Sequence, residues 1–304
     1  MSLIERALQK ARNNRPAVES PQFEAAPTMR PANPGAGTVP IAETRPLPIL
    51  VTEFPRVATA PQLQITEALL REKGLRAEAD DEAQQRAEYR HIKHGLISEL
   101  RDTKTRPIVL ITSAVQGEGK SFSAAHLALS LAVEPDYTVL LVDADVIRPN
   151  LTRTFGLSGR PGIMDAVADQ NIDVQSLIVT TNIEGLSILP AGRPHENATE
   201  HFASDRMREV IEQLLAVSNR IVVIDSLPLL LTTEARALSP VAGQIVMVVR
   251  AESTPQSAVQ EAITLLGEEA NVKLLLNAIV RTKALGYLGN EYGYGYNYNS
   301  EKAP

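Results

Sequence analysis

Apolar and polar positions change their spacing several times along this chain, and each change marks a segment. Over residues 2–12, Leu3, Ile4, Ala7, Leu8 and Ala11 share one helical face, with Ser2 and Glu5 spaced as a capping box. This predicts a short amphipathic helix within 1–15, which needs a partner to stay folded: either it docks on the body or it is a recognition element. Between Pro16 and Pro61 the periodicity vanishes and ten of the twenty prolines are found, so 16–61 reads as an extended linker. Helical spacing returns from about Gln62 to Lys73 and from about Asp81 to Leu100. In the second stretch Ala87, Ile92, Leu96, Ile97 and Leu100 form a stripe beside Arg86, Glu88, Arg90 and Lys93, so 62–104 is a helical segment. After Arg106, short apolar runs alternate with helical stretches: Ile108 to Thr112, Val139 to Val142, Leu186 to Leu189, Ile221 to Ile224, Ile245 to Val249 and Lys273 to Leu276. Strands apolar on both faces and separated by helices predict a mostly parallel sheet covered on both sides, a doubly wound α/β domain over 105–285.

The first strand runs into Ser113-Ala-Val-Gln-Gly-Glu-Gly-Lys120-Ser121 and then a helix from Phe122 to Val133. A strand, a glycine-rich turn and Lys-Ser opening a helix cradle phosphate. Backbone N–H groups and the helix N-terminus face the anion, Lys120 reaches the β/γ oxygens and Ser121 ligates magnesium. Ala114 stands where the general pattern begins with glycine. Two more strands end in acids, one in Asp143-Ala-Asp145 with Arg148 following, the other in Asp225. Ligands of open α/β sheets bind at the carboxyl edge, and two acids there need a cation to offset their repulsion. In nucleoside-triphosphate enzymes an acid placed like Asp225 orients magnesium. A lone strand-end Asp is more often a helix cap, but three such ends in one chain are expected to converge on one site.

Charge and composition narrow the field further. Lys and Arg number 30 against 36 Asp and Glu, a net charge of −6, so no global basic field holds nucleic acid. No apolar run reaches the roughly eighteen residues that span a bilayer. There is no cysteine, which excludes disulfides, thiolate zinc and cysteine nucleophiles, and the five histidines lack a zinc-like spacing. Met1-Ser-Leu-Ile-Glu5 carries an early acid and does not read as a secretory signal, so a cytoplasmic location is expected and the Asn197-Ala-Thr199 triplet carries no meaning. In 286–304, Tyr287, Tyr292, Tyr294, Tyr296 and Tyr298 are interleaved with Gly and Asn. Composition alone reads this tail as flexible and sticky, or as an edge strand with four tyrosines on one face.

These stretches together resemble a known family, the bacterial tyrosine kinases of polysaccharide export, over about residues 85 to 298. Within it they look similar to the exosortase-associated tyrosine autokinases. The resemblance rests on the Met1-Ser-Leu-Ile-Glu5 start, Glu88-Tyr-Arg-His-Ile-Lys93, Thr112 to Ser121, Val142 to Pro149, Pro190 to Glu200 and the tyrosine-rich end. It implies a P-loop NTPase fold of the MinD/ParA-like type with an N-terminal helical extension, and an ATP- and Mg2+-dependent protein-tyrosine kinase that phosphorylates its own tail in trans. On the matching positions it implies Gln116, Gly117, Glu118, Gly119, Lys120, Ser121 and Phe122 around the nucleotide, with Arg250 and Asn277 near the base. Lys120, Asp143, Asp145 and Asp225 carry the chemistry, Asp143 or Asp145 acts as base, and Ser121, Asp145 and Asp225 meet the metal. The five tail tyrosines are the acceptors, and phosphorylation couples ATP use to polymer length. The implied partners are further copies in a ring or cluster joined through 62–104, a membrane-embedded chain-length determinant as activator and a tyrosine phosphatase, without nucleic acid. This places the chain at the inner membrane through a partner.

Two departures from the wider family stand out: Ile147 where Asp-x-Asp-x-Arg has arginine, with Arg148 next to it, and Leu227 where Asp-x-Pro-Pro has its first proline. A positioning ATPase of the partitioning or division-site type is the competing class. It usually has lysine where this chain has Val115, and it gives the tyrosine tail no task. A nucleotide-binding scaffold of weakened activity is the third reading.

Overall fold

Alternation within the strands sorts the core into two layers, one on each face of a single sheet. The computed structural model describes residues 62–77, 79–101 and 105–279. The expected helix at 2–12, the linker at 16–61 and the five tail tyrosines lie outside them. The strands are β1 (Ile108–Ser113), β2 (Thr138–Asp143), β3 (Val179–Thr180), β4 (Leu186–Leu189), β5 (Arg220–Pro228), β6 (Gln244–Arg250) and β7 (Val272–Asn277), in the order β3-β4-β2-β5-β1-β6-β7. Every neighbouring pair is parallel except β3 with β4. This is the P-loop NTPase fold.

Val109, Ile111, Val139, Leu141, Ile221, Val223, Val246 and Val248 point to one face. There they meet α1 (Glu67–Glu72), α2 (Ala79–Leu100), α3 (Lys120–Leu131) and α4 (Asn150–Thr154) through Leu70, Leu96, Ile97, Leu127, Leu131 and Leu151. Ile108, Leu110, Leu140, Val142, Val222, Ile224 and Ile245 point to the other. They are covered by α5 (Ile163–Ala168), α6 (Ala198–Ala203), α7 (Asp205–Leu215) and α8 (Glu234–Leu238). A strand period of two feeding two helical layers is why these strands read as continuously apolar. A smaller cluster of Ala114, Leu227, Leu229, Ala235 and Met247 is closed by Ala262 of α9 (Gln256–Leu266).

Two boundaries and the burial of one strand differ from the sequence reading. Helix α1 begins at Glu67, not near Gln62, because Leu63 bridges Thr181 and the Ile65 N–H donates to Asn182 Oδ1 at 2.7 Å. Thr66 then caps α1 by accepting from the Leu69 N–H. Strand β5 runs on past Asp225 to Pro228, held by the Thr112 hydroxyl donating to the Leu227 carbonyl at 2.8 Å. Strand β7 lies at the sheet edge, and its Leu274 and Leu276 are 59% and 55% exposed, so this strand is not covered on both faces.

Candidate functional site

The sheet order sets β2, β5 and β1 side by side, so the three strands expected to carry the chemistry end next to one another. After β1 the chain turns through Gly117 and Gly119, whose φ values of 85° and 93° lie in the left-handed region that favours glycine. Gly119 caps α3, and a Cβ there would sit 2.1 Å from Asn277 Nδ2. Ala114 takes no positive φ and is fully buried in the cluster with Leu227 and Met247. The backbone therefore does not require glycine at this first loop position. One of the two family departures, Leu227, packs in that same cluster.

Asp143 and Asp225 stand in register on adjacent strands. Both are completely buried, and Asp145 and Lys120 are nearly so. Lys120 Nζ donates to Asp145 Oδ2 at 2.9 Å, and the Arg148 N–H donates to Asp145 Oδ1 at 2.8 Å. Asp143 accepts the N–H of Asp145 at 3.2 Å and that of Thr152 at 2.8 Å. Asp225 differs: no donor reaches either of its oxygens with hydrogen-bond geometry. Burial pushes the Asp225 carboxyl up to about 7, aided by the charges of Asp143 and Asp145, while Lys120 and the Ser121 hydroxyl pull it down less. Burial likewise raises Asp143 to about 6, against its two backbone donors and the Thr152 hydroxyl. A buried carboxylate without a donor suits a cation, and the donor set of Ser121 hydroxyl, Asp145 and Asp225 has the hard oxygens that magnesium takes. Among the described residues no three histidine or acidic side chains are grouped to enclose a metal ion.

The remaining expected site residues divide. Gln116 and Gly117 are exposed at the loop tip. Arg250 Nη1 donates to the Gly117 carbonyl at 3.2 Å, and Asn277 Nδ2 to the Glu118 carbonyl at 2.8 Å, so both reach the loop from the ends of β6 and β7. The Glu118 side chain turns into the fold, and the Phe122 ring packs against His126 under α2 with centroids 4.4 Å apart. Ile147 and Arg148 are exposed at the rim. Two residues outside the expected set hold the site. Thr152, nearly buried, accepts the Ala191 N–H at 3.0 Å on its hydroxyl and so ties Asp143 to the end of β4. Thr254 donates its hydroxyl to Glu118 Oε1 at 2.6 Å. Thr152 lies in the short helix that follows the acidic motif and could have been suspected as the partner of a strand-end acid. Thr254 gives no local signal.

Residues 107–276 match the AAA domain family model. The tyrosine-protein kinase YwqD of Bacillus subtilis is 31% identical over 186 residues, 61% of this chain and 76% of that protein. The tyrosine-protein kinase ptk of Acinetobacter johnsonii is 30% identical over 183 residues, 59% of this chain but 24% of that one. The chain spans about a quarter of the length of several curated relatives it matches, that one among them. Among solved structures, the kinase domain of the Escherichia coli tyrosine kinase ETK superposes with a TM-score of 0.59 at 25% identity, covering 69% of this chain and 80% of that one. Among the described residues no helix is long and apolar enough to cross a membrane.

Proposed function

From the premise that this chain belongs to the bacterial tyrosine-protein kinase family, we propose that it transfers the γ-phosphoryl of ATP to Tyr287, Tyr292, Tyr294, Tyr296 and Tyr298 of a neighbouring copy. The observation that carries the reading is the meeting of Lys120, Asp143, Asp145 and the buried Asp225 at one strand edge, in a chain with a tyrosine cluster at 287–298.

Lys120 leaves Asp145 for the β/γ oxygens and balances their charge, while the loop N–H groups and the α3 N-terminus fix the phosphates. Magnesium, when bound, supplies further neutralisation of the phosphate oxygens, and Ser121, Asp145 and Asp225 are the residues to hold it. A phenol of pKa about 10 is a weak nucleophile at neutral pH, so its proton must pass to a base. Asp143 is the base this reading favours, because burial lifts its carboxyl to about 6, close to working pH. The new O–P bond forms at the phenol oxygen as the bond from the γ-phosphorus to the β-phosphate oxygen breaks, and ADP departs. Each phosphate adds about −1.5 to −2 charges, so labelled tails repel and loosen an assembly.

On this reading the chain works as a ring or cluster of copies joined through 62–104. A membrane-embedded polysaccharide chain-length determinant activates it, a tyrosine phosphatase resets it, and the cycle regulates exopolysaccharide polymerisation and export. The N-terminal and Pro190 to Glu200 stretches support placing it with the exosortase-associated autokinases, at the inner membrane through its partner. Incubating the purified chain with labelled ATP and Mg2+ and mapping phosphotyrosine tests the proposal. Label on the tail tyrosines is expected, and nucleotide hydrolysis without any phosphotyrosine would contradict it.

A further inference from the structure

The phosphate loop contains an acid, Glu118, at a place where a free carboxylate would compete with phosphate for the loop N–H groups and repel it. Glu118 is only 2% exposed. Its Oε2 accepts the Val115 N–H of the same loop at 2.7 Å. Its Oε1 accepts the Thr254 hydroxyl at 2.6 Å and the Arg250 N–H at a longer 3.4 Å. Thr254 lies 136 positions away in the chain, between β6 and α9, and is the side chain that reaches across to this carboxylate.

We propose that Thr254 is a positioning residue for nucleotide binding: by holding the Glu118 carboxylate inside the fold, it keeps that charge off the triphosphate and leaves the loop N–H groups aimed at the ligand. The inference rests on the loop binding ATP, and not on tyrosine being the acceptor. Removing the hydroxyl leaves Glu118 Oε1 with only the long Arg250 N–H contact, and a charge-assisted hydrogen bond is strong enough that its loss loosens the carboxylate's hold inside the fold. Thr254→Val keeps the shape of the side chain and removes only the donor. Thr254→Ser keeps the donor. Glu118→Gln removes the charge and keeps an acceptor for Val115.

The experiment measures the affinity of the full-length chain for MgATP, with a fluorescent ATP analogue as reporter, in the parent and these variants. Thr254→Val is expected to weaken binding about tenfold, and Thr254→Ser to stay within about twofold of the parent. The decisive arm is the double variant Thr254→Val with Glu118→Gln, in which most of the lost affinity returns because no charge is left to restrain. Parental affinity in Thr254→Val overturns the proposal. So does a double variant as weak as Thr254→Val, since that marks Thr254 as a packing residue only. A parental chain that binds no MgATP overturns the nucleotide-site reading and this inference with it.

Discussion

Lys120 Nζ lies 2.9 Å from Asp145 Oδ2, an ion pair formed between two residues that are each less than a tenth exposed. The side chain expected to meet the nucleotide is thus already engaged, and the acid that holds it is expected at the metal. On the proposed reading, arriving phosphate would exchange one anionic partner of Lys120 for another, so the buried ammonium would never be left without a counter-charge.

Lys120→Ala should therefore do two things. It should abolish tail labelling, because the loop backbone alone cannot balance the β/γ-phosphates. It should also cost about 3 kcal/mol of stability by leaving Asp145 buried and unpaired beside two other acids. Phosphotyrosine blotting and urea unfolding measure the two effects, and labelling at the parental rate would show that the loop is not the phosphate site.

Asp143→Asn and Asp145→Asn should both lose most transfer, yet differ in stability. The Asp143 oxygens each accept a backbone N–H, so the amide introduced by Asp143→Asn would turn an N–H towards a donor, at about 1–3 kcal/mol. At Asp145 one oxygen accepts the Arg148 N–H and the other the Lys120 ammonium, so Asp145→Asn also strips a buried cation of its counter-charge and should cost more, about 3 kcal/mol. Kinetics and unfolding curves on both variants decide the point, and parental rates in both would move the chemistry elsewhere.

The raised carboxyls of Asp143 and Asp225, about 6 and about 7 against an ordinary 3.8, fix a pH dependence. Between the two sets of values the folded chain keeps protons that the unfolded chain has lost. Their contribution to stability is full below about pH 4 and disappears as pH rises through 6 and 7. A cation at Asp225 must displace its proton, so the extra stability conferred by MgATP should grow with pH to about 7 and level off above. Melting curves with and without MgATP test this, with Asp225→Asn expected to flatten the slope. A stabilisation that falls as pH rises would contradict the assignment.

Ala114→Gly, which restores the general loop pattern, should leave nucleotide affinity near parental and cost about 1 kcal/mol of stability. The position has a negative φ and its methyl is buried against Leu227 and Met247, so glycine gains nothing locally and loses packing. Binding and unfolding measurements check both halves.

What the sequence made legible is the part written in short-range spacing. The strands at Ile108, Val139, Ile221 and Ile245, the glycine-rich turn before Lys120 and the acids at strand ends each occupy a few consecutive residues, and the parallel order brings them together. What stayed hidden depends on distant pairing. Leu63 meets Thr181 as an isolated bridge, which shortens a helix that its own spacing predicts. Glu118 reads as a ligand-facing loop residue until Thr254 is seen holding it from the turn after β6. That Ala114 needs no glycine shows only when Leu227 packs with it, departures from two separate motifs that share one small core.

The central claim, tyrosine phosphorylation between copies, is tested most directly by mixing two inactive chains. One carries Lys120→Ala with an intact tail, and the other has all five tail tyrosines changed to Phe with an intact site. Neither should label alone with ATP and Mg2+. Together, once mixed assemblies are verified by size, phosphotyrosine should appear on the Lys120→Ala chain only. No label on that chain in verified mixed assemblies would contradict transfer in trans, and label persisting on the five-Phe chain would contradict the tail as acceptor.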